Sequence, residues 1–77
     1  MNIGEAATRV ATDRNVLQKM MALALGLSPA FRKAFLLCDV HGFSVEEAAV
    51  ILGINPAAVV IRLNRARREL NARLAPA

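Results

Sequence analysis

Five of the ten basic residues, Arg62, Arg65, Arg67, Arg68 and Arg73, fall within twelve positions, with Glu69 the only acid among them. Guanidinium groups at this density suit one kind of chemistry. They fork onto phosphate oxygens, or onto the paired acceptors of a guanine edge. A solvated helix end whose arginines complement the C-terminal dipole is the competing reading. Nothing elsewhere points to bond-making. The sequence has no Ser/His/Asp set, paired-carboxylate constellation, phosphate-binding glycine loop or metal-ligand cluster. No enzyme, cofactor or metal site is expected. His41 stands alone beside Gly42 and reads as a helix-end residue rather than a ligand. Cys38 is the sole cysteine, so no internal disulfide can form and a reducing cytoplasm is the expected setting. It lies on an apolar helix face and reads as a small core residue.

The 77 residues, with a net charge of +4, are enough for one domain. A chain of this size buries only about 60% of its unfolded surface. Its 56% hydrophobic content is high, so some apolar surface could be covered by a partner. No apolar run reaches the roughly 18 residues that a membrane span needs. The N-terminus lacks the basic start and apolar run of a signal peptide.

The elements that must position the arginines can be read from caps and spacing. Residues 1–12 carry small residues, Gly4 and scattered charges, and read as a flexible lead-in or linker. The domain is expected over residues 13–75. A first helix should begin near Asp13 and run to Leu25. Its stripe Val16, Met20, Leu23, Leu27 and its stripe Leu17, Met21, Leu25 together suggest burial on two faces. Gly26 ends it. Ser28-Pro29 opens a second helix with a capping hydroxyl and proline at the first position, and the helix runs to about His41 before Gly42. Phe31 and Phe35 read as core anchors, with Arg32, Lys33 and Asp39 able to reach solvent. Ser44-Val45-Glu46-Glu47 is a capping box that starts a third helix, through Ala48, Ala49, Ile51 and Leu52 to Gly53. Asn55-Pro56 restarts a fourth, expected to reach about Leu74, short of Pro76. No strand alternation is present, and the fold class is all-α.

Two helices joined by the tight Gly53-Ile54-Asn55 turn have the form of a helix-turn-helix, whose second helix fits the major groove of DNA. At about 100° per residue, Val59, Leu63, Ala66, Leu70 and Leu74 make that helix's core face. The opposite side carries Ala57, Ile61, Asn64, Arg65, Arg68 and Ala72. Ala58 and Val60 lie at its margins and Arg62 and Arg73 on the flank. Its first two turns are apolar and cannot hydrogen-bond a base edge, although apolar groups can touch thymine methyls. Arg62, Asn64, Arg65 and Arg68 can supply polar contacts, to guanine or to phosphate. Ile61 alone could be an ordinary exposed isoleucine. With Val60 and Val50 it forms a strip that a protein could cover.

The ordered combination Leu27-Ser28-Pro29, Arg32, Phe35-Leu36-Leu37, Asp39-Val40, Gly42-Phe43-Ser44, Glu46-Glu47, Ala49, Ile51-Leu52-Gly53-Ile54, Val59 and Arg62-Leu63-Asn64-Arg65-Ala66-Arg67 resembles region 4 of bacterial RNA polymerase sigma factors. The extracytoplasmic-function (ECF) group is the nearest likeness, over about Val16 to Leu74. The resemblance implies a compact four-helix domain without a wing, acting in transcription in the bacterial cytoplasm. Such a domain recognises the promoter −35 element in double-stranded DNA and docks on the β flap of RNA polymerase. By position, Arg62 and Arg65 would contact DNA, with Arg68 a weaker candidate. Ser44 and Asn55 would cap helices whose N-termini approach phosphates. Arg32 would lie near the DNA backbone or pair with an acid such as Asp39 or Glu46.

The chain departs from the family at Ala58, Val60 and Ile61, where Thr, Lys and Ser are usual, and at Val50, where a charge is common. These changes remove up to three polar DNA contacts. The family's region 2 is not among these residues, so the chain reads as a C-terminal piece or a stand-alone module. An alternative role is a protein-interaction module. It would bind an anti-sigma factor, the polymerase flap or a second copy of itself through the apolar side of the recognition helix.

Overall fold

The computed structural model describes residues 2–10 and 12–74. The rest of the expected lead-in (Met1, Ala11) and residues 75–77, with the stop expected at Pro76, lie outside the described residues. The elements are α1 (Ile3–Arg9), α2 (Arg14–Ala24), α3 (Pro29–Phe35), a π-helical continuation of α3 (Leu36–Val40), α4 (Val45–Leu52) and α5 (Pro56–Leu74). Helix α5 packs against α3 and α4, and α1 packs on α2, α5 and the π-helical segment. The described residues are all-α, as expected, but the count is five helices, not four.

The additional helix is α1, where the sequence suggested a flexible lead-in. The Asn2 side chain caps it, accepting the Glu5 N–H at 2.8 Å. Ile3 and Ala6 are buried in the main core with Val16, Met20, Ala24, Leu27, Phe35, Ala66 and Leu70. A seven-residue helix is too short to stand alone in water. Packing supplies what its length cannot. The Ile3 N–H, free because it begins the helix, donates to Asn71 Oδ1 on α5 at 2.7 Å.

Helix α2 starts as expected, with Asp13 accepting from the Asn15 and Val16 N–H groups. Only one of its two apolar stripes is inside. Val16, Met20 and Leu27 are buried, whereas Met21 and Leu25 are exposed, Leu25 at 72%. Of the faces α2 presents, α1 and the π-helical segment cover one. Ser28 stands at the N-cap of α3, but its hydroxyl makes no capping bond; Pro29 at the first position carries the start signal. Phe35 is fully buried and Phe31 partly so. The helix then widens. The His41 N–H bonds to Leu36 O at 2.9 Å, an i to i+5 step, before Gly42 turns the chain at φ +80°. Asp39, expected at the surface, is buried at 8% exposure. It follows Phe35 by four residues and therefore shares its inward face.

Candidate nucleic-acid interface

Helix α4 is held at its start by both halves of the capping box. The Glu47 N–H donates to Ser44 Oγ, and the Ser44 N–H donates to Glu47 Oε1, each at 3.0 Å. The Ser44 N–H bond chiefly, and the Ser44 hydroxyl next, favour the charged carboxylate and hold the Glu47 pKa below its ordinary value. Gly53 ends α4 in the left-handed region at φ +69°. Two residues later Asn55 caps α5, its Oδ1 accepting the Ala58 N–H at 2.8 Å. Ala48, Ala49 and Val59 form a second small core between the two helices, with Leu37, Cys38, Val45 and Ile54 packed around it. That core fixes the angle of the turn. The helix-turn-helix is thus built from local caps and a few small side chains.

On α5 the buried residues are Val59, Leu63, Ala66 and Leu70; Leu74, expected with them, lies exposed at the edge of the fold. Ala57, Ile61, Asn64, Arg65 and Arg68 are exposed, and Ala58 and Arg62 are half-buried. Arg62, Arg65 and Arg68 make no ion pair among the described residues. Ile61 is 57% exposed, and on α4 Val50 reaches 83%, with Ile51 also outside. Ser44 and Asn55 are exposed at the N-termini of α4 and α5, each already engaged as a cap. Arg32 is half-buried on α3. It pairs with neither of the acids considered for it: among the described residues, the partner of Asp39 is Arg67.

That pair is the feature the sequence reading missed. Arg67 donates through Nε to Asp39 Oδ2 at 2.8 Å and through Nη2 to Oδ1 at 2.6 Å. The contact raises the Arg67 pKa, so the guanidinium stays charged. The cluster of five arginines therefore divides. Arg67 ties α5 to the π-helical segment. Arg73 donates to Gly26 O at 3.0 Å and to Glu69 Oε1 at 3.2 Å, closing the end of α2. Arg62, Arg65 and Arg68 take part in none of the ion pairs among the described residues. The helical wheel held the signal, since Arg67 falls beside Leu63 and Leu74 at the margin of the core face.

Cys38 is half-buried beside this pair. Burial chiefly, and the Asp39 charge next, push its thiol pKa up, with Arg67 opposing. An apolar cleft of about 210 Å³ lies away from the helix-turn-helix, lined by Ile3, Ala6, Val16, Met20, Leu23, Leu74 and the single charge of Lys19. Among the described residues no His, Cys, Asp and Glu side chains gather as a metal site, and no helix is long and apolar enough to cross a membrane.

The family model for sigma-70 region 4 matches residues 17–70. The chain is 43% identical over 63 residues to the ECF RNA polymerase sigma factor SigE of Mycolicibacterium smegmatis, an alignment covering 82% of this chain and 24% of that protein. The chain thus spans about a quarter of the length of this curated relative. No solved structure matches.

Proposed function

Because the chain belongs to the sigma-70 region 4 family, we propose that it reads the −35 element of a bacterial promoter through the outer face of α5. In this reading it acts in the cytoplasm, docked on the β flap of RNA polymerase, as a regulatory DNA-binding domain rather than a catalyst. One observation carries the proposal. Arg62, Arg65 and Arg68 stand free of ion pairs among the described residues, on the second helix of a capped helix-turn-helix. Arg65 is assigned a base edge, Arg62 and Arg68 phosphate or base edge, and Asn64 a supporting contact. The caps at Ser44 and Asn55 aim helix N-termini at the backbone, and Arg32 adds a cation beside it. Titration of a panel of −35-like duplexes at several salt concentrations tests this. Selective, salt-dependent binding weakened by Arg65→Ala is expected; unselective binding indifferent to Arg65→Ala overturns it.

A second reading rests on the exposed apolar residues Val50, Val60 and Ile61. Here the same face is a protein-docking surface, for an anti-sigma factor or for a second copy of the chain. Ile61→Asp then abolishes the protein complex and leaves the helical fold intact. A complex that survives Ile61→Asp excludes this reading.

A further inference from the structure

We infer that the selectivity of this domain comes from thymine methyl groups, read by Ile61 and Ala57 in turn to one side of a guanine held by Arg65. The inference rests on the DNA-reading role proposed above and names what that role selects. Ala57, Ile61 and Arg65 follow one another at four-residue spacing on the exposed side of α5, so they form one ridge. Ile61 lies at its centre, 57% exposed with no polar atom beyond its backbone. In the major groove such a side chain has one complementary feature, the C5-methyl of thymine. The small Ala57 and half-buried Ala58 precede it and let the helix sit deep. One helical turn separates Ile61 from Arg65, a rise of about 6 Å. Stacked base pairs are about 3.4 Å apart. A methyl contact and a guanine contact thus fall within two base-pair steps.

Charge favours nucleic acid over protein as the occupant of this ridge. Arg65 and Arg68 share this side with Ile61, Arg62 flanks it, and none of the three is ion-paired among the described residues; like charges repeated along a helix without acidic partners suit the regularly spaced phosphates of a duplex. An acidic polymer that presents methyl groups between its phosphates matches both features.

A library of randomised duplexes is selected on the intact chain, and the tightest duplex is remade with each thymine singly replaced by deoxyuridine, which lacks only the methyl. One replacement within two steps of the Arg65-dependent guanine, under Ile61, and a second about four steps away, under Ala57, should weaken binding about fourfold each, the worth of one buried methyl. Ile61→Ala, with its shorter side chain, should shrink the uracil penalty at the nearer thymine and leave the penalty under Ala57 in place. Circular dichroism should match the parent, since Ile61 is a surface residue. Selective, Arg65-dependent binding with a flat uracil scan overturns the methyl inference and leaves the DNA-reading role standing. A flat scan with a change in sedimentation mass on Ile61→Ala assigns the ridge to a protein contact and also overturns it. Loss of all selectivity, with Arg65→Ala silent, removes the role itself and the inference with it.

Discussion

Arg67 and Asp39 lie 28 residues apart in sequence and meet through two parallel hydrogen bonds, of 2.8 and 2.6 Å. Their burial is unequal. The Asp39 side chain is 4% exposed and that of Arg67 41%. Removing either partner should therefore have different consequences. Arg67→Ala leaves a buried carboxylate unpaired and is expected to cost about 3 kcal/mol. Asp39→Ala leaves a guanidinium that can turn to water and should cost about half as much, in line with its partial exposure. Urea unfolding of the two variants gives the order; equal costs would show that exposure does not govern the pair.

Gly26 and Arg73 form a second long-range contact, with the guanidinium against the Gly26 carbonyl. A Cβ at Gly26 would collide with Arg73 Nη1. Because that atom ends a flexible side chain, Gly26→Ala should displace it rather than break the fold, costing about 1 kcal/mol for the lost bond. In an Arg73→Ala background the same change should cost less. A double-mutant cycle measures the coupling, and strict additivity would contradict the contact.

Ile3 is fully buried in the main core. Ile3→Ala should destabilise the whole domain by about 2–4 kcal/mol in a single cooperative transition. A peripheral lead-in would give no such loss. Chemical denaturation followed by helical circular dichroism distinguishes the two.

Cys38 gives a pH signature. Its thiol pKa is raised in the folded chain, by burial first and the Asp39 charge second. The folded state therefore holds this proton more tightly than the unfolded state does. The stability it contributes is complete below the ordinary thiol value of about 8.5 and declines as pH rises through the higher folded value. Iodoacetamide at pH 8 should modify the native chain more slowly than the urea-unfolded chain. The alkaline loss of stability should shrink in Cys38→Ala; an unchanged profile would assign the loss elsewhere.

The sequence made the helix-turn-helix legible because its signals are local. Ser44 with Glu47, Gly53, and Asn55 with Pro56 each act within four residues, and each is found where the spacing put it. The outward side of α5 followed from periodicity in the same way. Two features depended on distant parts of the chain. Helix α1 carries Gly4 and is only seven residues long, so its stability comes from partners that its own residues do not announce. Asp39 looked like a surface residue by type, and only the approach of Arg67 from α5 makes its burial tolerable. The same dependence explains Leu25, whose apolar stripe finds no neighbour. In the candidate site, the wheel located the arginine cluster but not its division into structural and free members.

The bond from Ile3 to Asn71 also sets where α1 begins. That point lies beside the C-terminal part of α5, about 20 Å along its axis from Ala57. The same bond clips the first helix to the last at the end of α5 opposite Ala57, and among the described residues it leaves the exposed first turns of α5 uncovered.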